Sequence, residues 1–270
     1  MDVLREIIAR TREDLVSEKA RVPTAAMRAD ADAISESSPA RDVLAALSGG
    51  SRSAGLQVIA EVKRSSPSAG ALAEIADPAA LAATYDAAGA AMISVLTEPH
   101  WFNGSLADLR HVRAAVSAPV LRKDFIVDEY QIAQARAASA DCVLLIVAAL
   151  ADAELAALLR CSRSWGMEPL VEVHNRQELR RAVDAGATII GVNARDLITL
   201  QVIPTVFAEL SHDIPAGCVA VAESGIHSAD DARAVAESGA DAILVGQALV
   251  QSADPAALLR SFTSIERHGR

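Results

Sequence analysis

Lysine is scarce in this chain of 270 residues. Of its 25 basic residues only Lys19, Lys63 and Lys123 are lysines, so nearly all the positive charge is guanidinium. Arginine does not release its proton near neutral pH, whereas an ammonium group can be tuned to do so. Lys63 and Lys123, both at the ends of predicted strands, are therefore candidates for proton transfer. Cysteine is scarce too. Cys142, Cys161 and Cys218 are odd in number and have no C-x-x-C spacing, a pattern that suits reduced thiols in a cytoplasm rather than a disulfide framework. Long apolar runs are missing. The longest, "CVLLIVAALA", is ten residues, too short to span a bilayer, and the N-terminal "MDVLREIIARTREDL" has charges throughout and no apolar h-region. A soluble cytoplasmic protein with no membrane partner is expected. An excess of positive charge is also absent, and a net charge of −10 disfavours nucleic acid as a partner. What is abundant is apolar side chain: 51% hydrophobic against 22% charged residues can bury a sizeable core.

After residue 55 a pattern repeats: a short β-branched run, polar or glycine residues at its end, then an alanine-rich helical stretch. Eight such strands are predicted: "VIAEVK" (58–63), "MISVLT" (92–97), "PVLRKDF" (119–125), "CVLLIVA" (142–148), "PLVEVH" (169–174), "IIGVNA" (189–194), "VAVAES" (219–224) and "AILVGQ" (242–247). Similar helix-to-strand junctions, "AAGAAMI", "ASADCVL", "DAGATII" and "ESGADAI", recur about every fifty residues, the length of two βα units. This alternation predicts an α/β fold, a (β/α)8 TIM barrel over residues 51–270, with a doubly wound open sheet as the alternative. Residues 1–50 read differently, as an N-terminal helical extension of one overall domain. It has a helix over roughly 2–20, a second short one near 40–47, and turn-rich "SESSPA" and "SGGSRSAG" around them. Whether this extension plugs the N-terminal face of the barrel or covers the opposite mouth is left open by the sequence.

In such barrels the catalytic groups come from the C-terminal ends of the strands. Those ends carry Glu61 and Lys63, Lys123 and Phe125, Glu172 and His174, Asn193 and Arg195, Glu223 and Ser224, and Gly246 and Gln247. Side chains alternate along a strand, so the pairs spaced by two share a face, about 7 Å apart. Any one polar strand end could simply mark where polarity resumes. Charge on four or more strands is better explained by a site, because burying an unpaired charge costs several kcal/mol. Glu223 and Ser224 have opposite parity, so Glu223 could equally act directly or brace another group. His174 and His100 have no second His or Cys at ligand spacing and are read as hydrogen-bonded or exposed rather than as metal ligands. "AESGI" and "LVGQAL" each place a glycine before a helical segment, as in the phosphate cradles that follow strands 7 and 8 of such barrels. The basic set Lys63, Arg64, Arg122, Lys123 and Arg195 would attract an anionic, phosphorylated small molecule.

Together, "EVKRSSPSAG", "SVLTEPHWFNGS", "VLRKDFIVDEYQI", "LLIVAAL", "GMEPLVEVH", "IGVNARDL", "VAESGI" and "ILVGQAL" resemble, in order and across all eight strands, the motifs of the indole-3-glycerol phosphate synthases. The resemblance runs from about residue 57 to 250. It implies a barrel enzyme of tryptophan biosynthesis without metal or organic cofactor; a monomer is expected. The implied reaction closes 1-(2-carboxyphenylamino)-1-deoxyribulose 5-phosphate to indole-3-glycerol phosphate with loss of carbon dioxide and water. By this likeness Lys123 is the general acid, Glu172 the general base, and Lys63 an acid in dehydration or an anion contact, with Glu61 and Asn193 positioning them. Phe102 and Phe125 would pack against the aromatic ring, and Ser66, Arg195, Glu223 and Ser224 would contact other substrate groups. Gly225, Gly246 and Gln247 would receive the phosphate. Gln247 is a departure, since the family more often has Glu or Ser there. Two other functions fit a lysine at a barrel strand end: a Schiff-base aldolase and a non-catalytic phosphate-binding barrel.

Overall fold

The computed structural model describes residues 3–49, 55–68, 70–197 and 199–269. Three helices come first: α1 (Val3–Arg21), α2 (Thr24–Ser37) and α3 (Val43–Ser48). Then β and α elements alternate. Strands β1 (Gln57–Val62), β2 (Met92–Leu96), β3 (Val120–Lys123) and β4 (Cys142–Ile146) are followed by α4 (Pro78–Ala87), α5 (Leu106–Ala115), α6 (Glu129–Ala137) and α7 (Asp152–Ser164) respectively. Strands β5 (Leu170–Val173), β6 (Ile189–Asn193), β7 (Val219–Glu223) and β8 (Ala242–Val245) are followed by α8 (Arg176–Asp184), α9 (Val206–Ser211), α10 (Ala229–Glu237) and a pair of helices, α11 (Gln247–Val250) and α12 (Pro255–Thr263). All eight strands are parallel neighbours in chain order. The sheet closes where β8 pairs with β1 in the register Ala60 to Val245. The expected closed barrel is present, and the open sheet is excluded.

Local chemistry sets the element ends. Side-chain oxygens of Asp77, Ser105, Asp128, Asn175, Ser228 and Asp254 cap helices that follow strands, each accepting a first-turn N–H. The recurring junctions return the chain to the sheet through a left-handed residue: Gly89, Gly186 and Gly239 have φ of 97°, 84° and 89°, and Ser139 takes the same role at 67°. Alternation then sorts the strand residues into two cores. Ile59, Met92, Leu121, Leu144, Leu170 and Ile189 are among those packed inside the barrel. Their neighbours, such as Val58, Ile93, Val120, Val143, Val171 and Ile190, pack outward under the helices.

The extension differs from expectation in two ways. Where turn-rich sequence was expected before residue 40 there is a second long helix, α2, held mainly against α6. Arg136 of α6, fully buried, donates to the backbone oxygens of Ser38 and Ala140, tying the end of α2 to the barrel wall. The plug and the cover are also both present, on different helices. Val43 and Leu47 of α3 close the N-terminal end of the barrel interior, while α1 reaches the opposite mouth through Val3, Leu4 and Ile7. The expected boundary at residue 50 falls in 50–54, as does most of "SGGSRSAG", outside the described residues.

Candidate active site

The C-terminal mouth of the barrel holds about 1160 Å3 of open space, solvent at its rim included. Every candidate residue lines it: Glu61, Lys63 and Ser66; Phe102; Lys123 and Phe125; Glu172; Asn193 and Arg195; Glu223, Ser224 and Gly225; Gly246 and Gln247. Arg64 and Arg122 are the exceptions among the basic set. Arg64 pairs with Asp108 of α5. Arg122, of opposite parity to Lys123, turns outward to Asp124 and the Gln131 carbonyl. The cations facing the mouth are thus Lys63, Lys123 and Arg195.

At its centre, Lys123 Nζ lies 3.3 Å from Glu172 Oε2 and 3.5 Å from Glu223 Oε2. Beside it Lys63 Nζ lies 2.7 Å from Glu61 Oε1, and Ser94 donates to the other Glu61 oxygen at 3.3 Å. Three carboxylates therefore converge, where at least two were expected. Burial alone would discharge Lys123, but Glu172, Glu223 and Glu61 outweigh it and hold the ammonium charged well above the usual lysine range. The carboxyl groups part company. Burial works to raise Glu172, yet Lys123 and His174 prevail and keep it ionised far below the ordinary range. Glu223 has the same burial with less help: Lys123 favours its charge, Glu172 and Glu61 oppose it, and it is pushed up to about 8. Its Oε1 has no hydrogen-bond partner among the described residues. Glu172 is thus held as a carboxylate and Glu223 is drawn toward its protonated form, on either side of one ammonium.

Strand alternation would send Glu223 and Ser224 to opposite faces. The chain avoids this by taking a left-handed turn at Ser224, with φ 66°, followed by Gly225 at 78°. The Ser224 hydroxyl then donates to Asn193 Oδ1 at 2.8 Å, and the Arg195 backbone N–H donates to the same oxygen at 3.0 Å. That leaves the Asn193 amide N–H groups for Glu172, whose charge they favour. Two glycines make room. A Cβ on Gly191 would lie 2.0 Å from Glu223 Oε1, and one on Gly246 would lie 2.6 Å from Glu61 Oε1.

Phe102 and Phe125 stand with ring centroids 6.0 Å apart at the rim. Phe102 rides on the loop after β2, which the buried Glu98 organises by accepting N–H bonds from His100, Trp101 and Phe102 at 2.9, 2.7 and 3.1 Å. Sequence reasoning missed Glu98, and it missed the apolar rim of Val3, Leu4 and Ile7, whose helical spacing was the available signal. His100 lies outside the mouth, 2.7 Å from Asp14 of α1. Among the described residues no three His, Cys, Asp or Glu side chains are grouped as a metal site requires.

A family model described as indole-3-glycerol phosphate synthase matches residues 4–262. The chain belongs to the indole-3-glycerol phosphate synthase family. It is 53% identical over 268 residues to indole-3-glycerol phosphate synthase 1 of Streptomyces coelicolor, covering 99% of this chain and 97% of that one. It is also 53% identical over 263 residues to the indole-3-glycerol phosphate synthase of Micrococcus luteus, covering 97% of each. Among solved structures, 3-hexulose-6-phosphate synthase from Salmonella typhimurium superposes with a TM-score of 0.62 at 17% identity over 77% of this chain and 97% of that one, a likeness of fold. Membership of the synthase family accounts for the order of the polar strand ends and for the helices ahead of the barrel.

Proposed function

We propose that this indole-3-glycerol phosphate synthase closes 1-(2-carboxyphenylamino)-1-deoxyribulose 5-phosphate with Lys123 as general acid and Glu172 as general base. The observation that carries this reading is the half-buried Lys123 ammonium held between Glu172 and Glu223 at the centre of the mouth. The ring carbon bearing the carboxylate attacks the ketone carbon, and Lys123 gives its proton to the ketone oxygen, which becomes a hydroxyl. Carbon dioxide leaves and the ring regains aromaticity. In dehydration Lys63 protonates the departing hydroxyl, which leaves as water, while Glu172 takes a proton from the new five-membered ring. The acids give two protons and the base takes one, so each turnover consumes one proton, as loss of a carboxylate as neutral carbon dioxide requires. Glu172 can return its proton to Lys123 at 3.3 Å, and Lys63, with a side chain 19% exposed, can recharge from solvent.

The remaining roles follow from position. Glu61 and Asn193 fix Lys63 and Glu172. Glu223, carrying a proton at neutral pH, can donate to a substrate hydroxyl. Phe102 and Phe125 hold the aromatic ring, Ser66, Arg195 and Ser224 its polar groups, and the backbone at Gly225, Gly246 and Gln247 the phosphate. Since one chain supplies every one of these groups, we read the enzyme as a monomer, residues 1–50 being part of the same domain, with the cytoplasm as its compartment. Among the described residues no helix is long and apolar enough to cross a membrane.

The test is direct. Purified protein mixed with the carboxyphenylamino-deoxyribulose phosphate should develop indole fluorescence, and borohydride should trap no covalent adduct. A folded protein that gives no indole product, or one that borohydride links to a sugar phosphate, would overturn the reading in favour of a binding barrel or an imine-forming aldolase.

A further inference from the structure

Beside the base lies a pair of groups that the mechanism above does not use. His174 follows the last residue of β5, two residues beyond Glu172, and is not among the residues that line the mouth; its side chain is only 11% exposed. Its Nδ1 is 3.0 Å from Glu178 Oε2, and that same oxygen accepts the His174 backbone N–H at 2.8 Å. Glu178 has no freedom to follow a different partner. Its other oxygen accepts from the Asn175 side chain at 2.6 Å, while its own backbone N–H is capped by Asn175 at 3.0 Å in the first turn of α8. On the other side, His174 Nε2 lies 3.3 Å from Glu172 Oε1, close enough for an ion pair but out of line for a hydrogen bond, and among the described residues this buried nitrogen has no other partner.

We propose that His174 is a positioning residue for the catalytic base: anchored by Glu178, it holds Glu172 by Oε1 and leaves Oε2, the oxygen beside Lys123, for proton transfer. The two oxygens of Glu172 have different neighbours. Oε2 faces Lys123 and Oε1 faces His174, so turning the carboxyl group out of its present plane would break both contacts. A carboxylate-anchored imidazole is the common device for fixing the orientation of a second catalytic group, because the anchor decides which ring nitrogen carries a proton. Here both nitrogens face carboxylates, so both carry protons and the ring is a cation. Burial alone would discharge it, but Glu172 and Glu178 hold the ring protonated up to about 10. The groups facing Glu172 from the other strands are Lys123, Asn193 and Glu223, so His174 is the cation on the Oε1 side of the carboxylate.

This inference rests on Glu172 being the base, and the experiment separates the two claims. Wild type, His174→Gln, His174→Leu, Glu178→Gln and the double variant His174→Gln/Glu178→Gln are assayed for indole formation, with thermal melting of each. Gln offers an N–H near the place of Nε2 without the charge, and Leu offers neither. The expected kcat is about tenfold below wild type in His174→Gln and about a hundredfold below in His174→Leu, the range for a misplaced catalytic group, with KM within about twofold. Glu178→Gln should lower kcat at least threefold. The double variant should be no worse than His174→Gln, because Glu178 acts through the ring. A purely structural role would lower the melting temperature and leave kcat per folded molecule unchanged. If His174→Leu does not fold, the Gln variants decide. Near-wild-type kcat in His174→Gln and Glu178→Gln, or fully multiplicative losses in the double variant, would overturn the proposal. A wild-type protein without turnover would overturn the proposed reaction instead.

Discussion

Gly191→Ala should damage the site while sparing the fold. Gly191 lies in the middle of β6, beside Glu172 of β5 and Val221 of β7, on the inward parity of Ile189 and Asn193. A methyl group there would sit 2.0 Å from Glu223 Oε1 and 3.2 Å from Glu223 Cδ and Leu170 Cδ1. Ordinary contact begins near 3.4 Å, so the oxygen must retreat by about 1.4 Å. It can do so, because the colliding atom is the free end of a flexible side chain. The retreat carries Glu223 away from Lys123, at present 3.5 Å distant, and a displacement of about 1 Å in a catalytic group can cost roughly a hundredfold in rate. Stability should move little, since the methyl group restricts the unfolded chain by about 0.4–1 kcal/mol, offsetting part of the local crowding. The measurement pairs kcat and KM with thermal melting. We expect kcat to fall between about tenfold and a hundredfold, in the range set by general acid–base roles, with a melting temperature within a few degrees of wild type. Turnover within twofold of wild type would show that the place of Glu223 is immaterial. Loss of cooperative unfolding would show that the backbone, not the carboxylate, yields.

Two further outcomes follow from the geometry. Gln247→Glu should change KM only a few-fold, because the Gln247 side chain turns along α11 to Gln251 at 3.4 Å and the phosphate contact falls to backbone N–H groups; a hundredfold loss of affinity, roughly 2.7 kcal/mol, would refute this. Stability should fall as pH rises from about 6.5 to 10, because folded His174 keeps to about 10 a proton that the unfolded chain releases near 6.5. Glu223, raised to about 8, adds the same sign over the lower part of that range, and a flat melting temperature across it would contradict both assignments.

The strands were legible to within two residues because each is a β-branched run, and four of them follow a helix-to-strand junction of similar chemistry. Their C-terminal ends were read too long. The β4 run was extended to residue 148, but the chain turns at Val147–Ala149 into a single 3-10 turn. Helix α2 was not legible. "TAAMRADADAISES" has only a narrow apolar stripe of Met27, Ala31 and Ile34, of which Ala31 alone is buried, and polar contacts to α6 and to the end of α7 that no local pattern announces supplement it, such as Arg28 with Glu129 and the Trp165 indole with Asp32. In the site, parity located Glu61, Lys63, Lys123, Glu172 and Asn193. It misled at Ser224, where a left-handed residue lets two consecutive side chains serve one mouth. Charge counting misled at Arg122, although its alternation with Lys123 already assigned it to the outer face. The link from His174 to Glu178 spans a strand end and a helix turn, and becomes visible only when both are placed in space.

The most direct test of the account is the turnover number of Lys123→Arg beside that of Lys123→Met, each with folding and substrate affinity measured. Arginine keeps the charge between Glu172 and Glu223 but is a far weaker acid. If Lys123 donates the proton, both variants should lose at least about a hundredfold in kcat, with Arg nearly as impaired as Met. Near-normal turnover in Lys123→Arg, with fold and affinity intact, would contradict this and move the acid role to Lys63.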